Sequence, residues 1–578
     1  MRVLNSEEIL QAEREALTRP GSSGELLIQA AGYAVTQFCL AHFKFASVAV
    51  VCGKGKPGSQ GMVAAESLHQ MAKEVFVLVL AQSVDELEPD TATICSRLSM
   101  EPLWISSESD FESAAVREAL QAELIIDAIA GADKKLPFGP LEKKAIDAIN
   151  EAFGTVVSVD VPSGVDPDDN APAHHTEQDA VFAHGVITFV APKAAHVFGE
   201  LTSGPIAVSE IGVQPALVSN QNQMQVITGQ EAGIAFPPRA QDAHKGDFGH
   251  VLVIAGSLGK AGAAAMAGLA ALRTGAGLVT VACPKSILTS VTGFAPELMT
   301  EWLPENEDAC IALAAERKLR QLMDGKDAVV LGPGLSRNAE TQELVRRVVA
   351  ECPLPLVLDA DGLNAFAGHY EELKRSNSEG AFLVLTPHPG EAARLLGAPI
   401  QDIQAGRLEM ARRISGETGS CVVLKGWRTI VAGLSGETWI NMTGNPALAK
   451  GGSGDVLSGM IAAALARRPI GASSAQAPAL PEFQQKKSWM HEIYGTDSME
   501  KLREALARQL QQNALQSSAF LKDISVAAAV HLHGMAGDIA RDELHENTVL
   551  ASEVMESLSE AFHQVELQME RGLFYLQR

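Results

Sequence analysis

The run Gly451-Gly452-Ser453-Gly454-Asp455, leading into the apolar Val456-Leu457-Ser458-Gly459-Met460-Ile461-Ala462, combines residue types suited to moving a phosphoryl group onto a hydroxyl. Small residues let a backbone wrap an anion with its N–H groups, and a helix starting there aims its positive end at the same point. Asp455 at the mouth can accept a hydroxyl proton while the amides of Gly452, Ser453 and Gly454 stabilise charge on the transferring oxygens. Taken alone, the run reads more readily as a glycine-rich turn capping a buried helix, so its meaning rests on what the chain places beside it.

Six further segments carry small or polar residues where apolar runs end: Ala255-Gly256-Ser257, Gly332-Pro333-Gly334, Asp359-Ala360-Asp361-Gly362-Leu363-Asn364, Thr386-Pro387-His388-Pro389-Gly390-Glu391, Lys425-Gly426-Trp427-Arg428-Thr429 and Gly444-Asn445-Pro446. The strand-like runs at 250–255, 278–282, 328–331, 356–358, 382–385 and 422–424 alternate with helical patterns, which predicts a mainly parallel sheet covered by helices. On such a sheet the segments would line one crevice beyond the carboxyl ends of the strands. The first third repeats the alternation at 47–52, 75–80, 124–129, 156–161 and 186–190, with Gly53-Lys54-Gly55-Lys56-Pro57-Gly58, Asp127-Ala128-Ile129-Ala130-Gly131 and Asp160-Val161-Pro162-Ser163-Gly164 at strand ends. The expected organisation is an α/β domain over 1–215, a polar linker at 216–223 and a second α/β domain over 224–578. An insertion at 469–522, rich in Ala, Ser, Pro and Gln and then charged, interrupts the second domain as an appendage.

Composition bounds the partners. A chain of 578 residues with 46% hydrophobic content can bury several cores, and its net charge of -24 repels nucleic acid and anionic lipid alike. The seven cysteines are scattered and never spaced as C-x-x-C, which fits buried free thiols in a reducing compartment. Asn5 followed by Glu8 reads as a helix start rather than a secretory signal, and no apolar run approaches a membrane span, so a cytoplasmic protein is expected.

The ordered set Gly332-Pro333-Gly334, Asp359-Ala360-Asp361, Pro387-His388-Pro389-Gly390-Glu391, Lys425-Gly426, Gly444-Asn445-Pro446 and Gly452-Ser453-Gly454-Asp455 resembles the ribokinase-like NAD(P)H-hydrate dehydratase family. Lys245-Gly246-Asp247-Phe248-Gly249-His250 and His531-Leu532-His533-Gly534-Met535-Ala536-Gly537-Asp538 are similar to it as well. The resemblance implies repair of hydrated NADH and NADPH at the expense of ADP or ATP, with Asp455 as the base at the substrate hydroxyl. It also implies that Lys425, Gly426, Trp427, Arg428, Thr429 and Gly454 contact the nucleotide and that Ala263, Gly334 and His388 touch the hydrate; a homo-oligomer is expected besides. Mg2+ is expected because phosphoryl transfer ordinarily uses it. Ser453 and Lys450 depart from the family's threonine and small polar residue; the lysine is expected to add charge beside the phosphate loop.

The first domain resembles the NAD(P)H-hydrate epimerase family through Cys52-Gly53-Lys54-Gly55, Asp127 to Gly131, Val159 to Asp166 and Phe189-Val190-Ala191-Pro192-Lys193. This Rossmann-like, three-layer α/β/α reading implies Asp160 as the base, Lys56, Gly58, Ser59, Gln60 and Gly131 at the hydrate, and Asp127 and Ser163 near a potassium ion. Where that family carries Asn-Asn-Gly-Gly-Asp-Gly, this chain has Lys56-Pro57-Gly58-Ser59-Gln60-Gly61, and Gln29-Ala30 stands where it has Glu-Asn. The changes remove oxygen ligands and charge that a hard cation wants, and Lys56 is expected to place its ammonium near the vacated position. Two other readings remain open at this point: a vitamin or sugar kinase on the same fold, and a first domain that serves as a binding or scaffolding module.

Overall fold

The computed structural model describes residues 1–19, 21–131, 137–169, 180–213, 223–373, 382–467, 518–568 and 574–577. It divides into two compact units, Met1–Val226 with Glu570–Arg578, and Ile227–Met569. The first unit therefore runs past the expected boundary at 215 and takes back the extreme C-terminus. Most of the expected linker, and residues 469–517 of the expected insertion, lie outside the described residues; 518–522 open the helix Ser518–Leu544.

In the first unit, β1 (Ser47–Cys52), β2 (Glu74–Val79), β3 (Leu103–Trp104), β4 (Leu124–Ala128), β5 (Thr155–Val159), β6 (Gly185–Phe189) and β7 (Ile206–Ser209) form a parallel sheet in the order β7-β6-β5-β4-β1-β2-β3. Successive residues of β1 feed opposite faces, Val48, Val50 and Cys52 into one core and Ala49 and Val51 into the other, so both faces are covered, as a parallel sheet requires. The strand order reverses between β1 and β4, which opens a crevice at their carboxyl ends. The short β8 (Met224–Val226) is bridged at Gln225 by Arg2 in antiparallel fashion.

In the second unit, β9 (His250–Ile254), β10 (Leu278–Pro284), β11 (Met299–Leu303), β12 (Ala328–Leu331), β13 (Leu356–Leu358), β14 (Leu383–Leu385), β15 (Cys421–Leu424), β16 (Ile430–Ala432) and β17 (Thr438–Ile440) run in the order β11-β10-β9-β12-β13-β14-β15-β16-β17. The strands from β9 to β15 are parallel, and β16 and β17 turn back antiparallel. The reversal lies between β9 and β12, and the chemistry-bearing segments leave the carboxyl ends on either side of it. All seven cysteines are free and buried, and no helix among the described residues is long and apolar enough to cross a membrane. A strand β18 (Phe574–Gln577) pairs antiparallel with β7 at the edge of the first unit's sheet.

The helix Ser453–Ala466 is buried along nearly its whole length against the helix Ala261–Arg273. The two approach so closely at Gly459 that a Cβ there would sit 2.1 Å from the carbonyl oxygen of Ala267. Gly459→Ala should therefore lower stability by about 2 kcal/mol through overpacking, read as a fall in the unfolding midpoint. Gly451→Ala, which would meet nothing within 4 Å, should leave the midpoint near that of the parent chain.

Candidate active site

Gly452, in the left-handed region at φ 96°, caps the helix Ser453–Ala466 and turns its first amides outward. Among the described residues, the N–H groups of Gly454 and Asp455 meet no acceptor, as expected for the first turn of a helix. Ser453 turns its hydroxyl inward to the buried His533, Oγ to Nε2 at 3.3 Å, and its amide, expected at the phosphate, donates to the Lys450 carbonyl at 3.4 Å. Burial pushes His533 down to about 4, so the imidazole is neutral. Lys450, next to the loop in the chain, donates its ammonium to the Asn547 carbonyl at 2.9 Å.

Asp455 occupies the first turn, and its carboxylate accepts no hydrogen bond from the described residues. Burial, with the neighbouring Asp359 and Asp361 adding and Lys425 opposing, pushes it up to about 7. A carboxylate in this condition can take a proton near neutrality, which is the requirement for a general base.

One cation stands opposite. Lys425, at the end of β15, donates to Asp359 Oδ1 at 2.8 Å, and its Nζ lies 3.8 Å from Glu391 Oε2. Burial works against its charge, but Asp359 and Glu391 hold its pKa above the usual lysine range. Asp359, almost fully buried, is opposed by burial yet kept below the usual carboxylate range by Lys425 and by Ser458, which donates to Oδ2 at 2.6 Å. The ammonium lies directly beneath the glycine-rich loop: a Cβ on Gly454 would come within 3.3 Å of Nζ.

The expected hydrate contacts share this crevice. A Cβ on Gly334 would lie 3.2 Å from that of Ala263, and Lys260 beside them pairs with Asp361 at 3.0 Å. His388 caps the helix Pro389–Leu396, accepting from the Gly390 amide at 3.0 Å, while Glu391 accepts from the His388 amide at 2.9 Å. Burial lowers the His388 pKa, leaving a half-exposed neutral imidazole. The expected nucleotide segment forms the turn between β15 and β16. Thr429 Oγ1 closes it on the Gly426 carbonyl at 2.9 Å, Arg428 lies over the indole of Trp427, and that indole is half-exposed.

In the first unit, Asp160 leaves β5 at φ 71°, a strained conformation for a non-glycine residue and one typical of functional sites. Its Oδ1 accepts from Lys193 Nζ at 2.5 Å and Thr188 Oγ1 at 2.8 Å, and its carbonyl meets His196 Nε2 at 2.7 Å. Gly131 backs onto this carboxylate, and a cavity beside it is lined by Glu13, Lys56, Pro57, Gln60, Asp160 and Lys193 among others. Gly58 and Ser59 are buried one turn along the helix Lys56–Gln70, Ser59 donating to the Lys56 carbonyl. Lys56 itself pairs with Glu13.

The residues expected at a potassium ion do meet, but their oxygens are taken. Asp127 Oδ1 accepts from Ser163 Oγ and the Ile129 amide, and Oδ2 accepts from Ser158 Oγ and the Ser163 amide. This carboxylate has no lone pair left for a cation, and two ammonium groups, Lys56 and Lys193, line the neighbouring cavity. The donor set does not fit a bound potassium ion.

Comparison with known proteins agrees with both halves. A family model described as NAD(P)H-hydrate dehydratase matches residues 251–512, and one described as YjeF-related protein N-terminus matches 24–195. The bifunctional NAD(P)H-hydrate repair enzyme Nnr of Moorella thermoacetica is 35% identical over 472 residues, spanning 80% of this chain and 87% of that protein. The chain belongs to the bifunctional NAD(P)H-hydrate repair enzyme family. The Coxiella burnetii member is 34% identical, with 81% of this chain and 91% of that protein covered. A Bacillus subtilis ADP/ATP-dependent NAD(P)H-hydrate dehydratase, co-crystallised with ATP and Mg2+, is 26% identical with a TM-score of 0.43, covering 59% of this chain and 99% of that one.

Several groups that shape this repair enzyme's sites carry no local signal. Asp359, Ser458 and Lys193 stand in family-like segments without an assigned part, and Glu13 meets the Asp160 cavity only through the fold. Lys193 is buried with its ammonium on Asp160, so Lys193→Met should destabilise the chain by about 3–5 kcal/mol in denaturant unfolding, by stranding a buried carboxylate. Lys193→Met with Asp160→Asn should recover a substantial part of that loss; no recovery would mean the pair is not the source of the effect.

Proposed function

We propose that the second unit dehydrates the S epimer of hydrated NADH and NADPH, using ADP or ATP to phosphorylate the ring hydroxyl and then releasing phosphate. The observation that carries this reading is Asp455: a carboxylate without an internal partner, raised to about 7, at a helix mouth with free amides. Asp455 takes the hydroxyl proton as that oxygen attacks the terminal phosphoryl group. The amides of Gly454 and Asp455 and the Lys425 ammonium face the charge that develops there. Phosphorylation turns a poor leaving group into a good one. The lone pair of the ring nitrogen expels phosphate, and loss of a neighbouring ring proton restores the dihydronicotinamide.

Ala263, Gly334 and His388 are proposed to hold the hydrate, and the 425–429 turn with the exposed Trp427 indole to hold the nucleotide. Gly452 contributes its backbone to the phosphate loop, and Ser453 shapes the loop through its bonds to the Lys450 carbonyl and His533. No group of three or more His, Cys, Asp or Glu among the described residues is placed to hold a metal ion, so Mg2+ is assigned to the nucleotide phosphates that carry it in. The same loop chemistry would serve a vitamin or sugar kinase, but the first unit and the Pro387-His388-Pro389-Gly390-Glu391 segment favour hydrate repair.

For the first unit we propose the epimerase reading, with Asp160 exchanging a proton at the hydrated ring carbon, Lys193 and Thr188 orienting it, and Gln60, Lys56 and Gly131 walling the cavity. The Lys56–Glu13 pair and the saturated Asp127 support a site that works without potassium. The scaffolding alternative would give a first unit with no epimerase rate in any salt.

Asp455→Asn should keep folding and nucleotide binding, while recovery of reduced-nicotinamide absorbance from hydrate falls by roughly 1,000-fold. In the parent chain the rate should climb as pH rises through about 7, because the base works as the carboxylate. Near-normal turnover by Asp455→Asn would remove the residue from this role. Exchanging potassium for sodium at constant ionic strength should leave both the unfolding midpoint and the interconversion of hydrate epimers unchanged. A potassium-specific rise in either would contradict the cation-free site.

A further inference from the structure

The crevice of the second unit holds more negative than positive charge. Asp455 is faced by Asp359 and Asp361 from the end of β13, and by Lys425 from the end of β15; Glu391 and His388 of the helix Pro389–Leu396 stand beyond that lysine. Lys260 is committed to Asp361, and His533, behind Ser453, is neutral. Lys425 is thus the one cation available to Asp455 among these groups, yet its short hydrogen bond goes to Asp359. Asp359 is fixed in turn: Ser458, on the same helix as Asp455 and one turn further in, donates to its other oxygen at 2.6 Å and also to the Gly454 carbonyl at 2.9 Å.

We propose that Asp359 is a positioning residue for the transfer step: anchored by Ser458, it pins the Lys425 ammonium under Gly454, where it meets the incoming phosphoryl group and is kept from neutralising Asp455. This rests on the reading of Asp455 as base and names how that base stays available. An ammonium bonded directly to Asp455 would lower its basicity and occupy the oxygen that must receive the hydroxyl proton. An ammonium under the loop adds positive charge to the transferring oxygens at a point where Gly454 leaves no side chain in the way. Ser458 ties the arrangement to the helix that carries the base, so loop, ammonium and base move as one body.

The test is the pH profile of kcat for hydrate at saturating ADP, in the full-length chain. Asp359→Asn removes a negative neighbour of Asp455 and lets Lys425 swing toward it, so the acid limb should move to lower pH by about one unit while kcat falls by roughly 100-fold and the KM for hydrate stays within about twofold. Lys425→Met removes the positive neighbour and should move the same limb to higher pH. Opposite displacements from two touching residues are a signature of charge that lost packing cannot imitate. Should Asp359→Asn fail to fold with its buried lysine unpaired, Asp359→Asn with Lys425→Met removes both charges; its limb should return to within about half a unit of the parent's while kcat stays low. A limb that does not move in the folded single variants, that moves the same way in both, or that stays displaced in the double variant would overturn the proposal. If that happens while Asp455→Asn is inactive, the positioning role alone is lost; an active Asp455→Asn would end the base reading itself.

Discussion

A carboxylate kept near a helix N-terminus ordinarily settles its charge on the free amides around it or on a nearby cation. Here Asp455 does neither. Its own helix begins with amides turned into the crevice, and the lysine beneath is claimed by Asp359 at 2.8 Å and attended by Glu391 at 3.8 Å. The competition of three acids for one ammonium leaves an unpartnered carboxylate, the proposed base, at the mouth of the glycine-rich loop, and the architecture of the second unit can be understood as the means of keeping that competition unresolved.

Three features of the fold sustain it. Parallel strands bring Asp359, the His388–Glu391 turn and Lys425 to one edge although up to 66 residues separate them. Gly459 lets the helix Ser453–Ala466 press onto the helix Ala261–Arg273, which packs the turn bearing Asp455 at that edge. Ser458 then joins helix to strand through Asp359. The first unit solves a related problem differently: Asp160 keeps a fully buried lysine on one oxygen and a strained backbone beneath it, while Asp127 is saturated by four donors and serves to brace the Ser163 turn.

Much of this was legible in the amino-acid sequence because alternation and strand-end chemistry are local. The central strands, such as Ser47–Cys52 and Ala328–Leu331, fall where their apolar runs predict, and the Asn5–Glu8 capping box closes as expected. What was missed is short, exposed or non-local. Ile430–Ala432 and Thr438–Ile440 are three residues long, Met299–Leu303 is a half-exposed edge strand, and Phe574–Gln577 pairs with a strand far back in the chain. Side-chain commitments were hidden for the same reason. Nothing near Lys450 announces Asn547, nothing near Ser453 announces His533, and Lys56 finds Glu13 only because the helix Ser6–Leu17 lies over the cavity.

In the proposed transfer the substrate oxygen itself attacks the nucleotide's terminal phosphoryl group, with Asp455 receiving its proton. It is tested most directly by following that oxygen, using hydrate labelled with a heavy isotope in the ring hydroxyl. The label should leave in inorganic phosphate, in step with the NADH formed. Label released as water, with phosphate unlabelled, would contradict it.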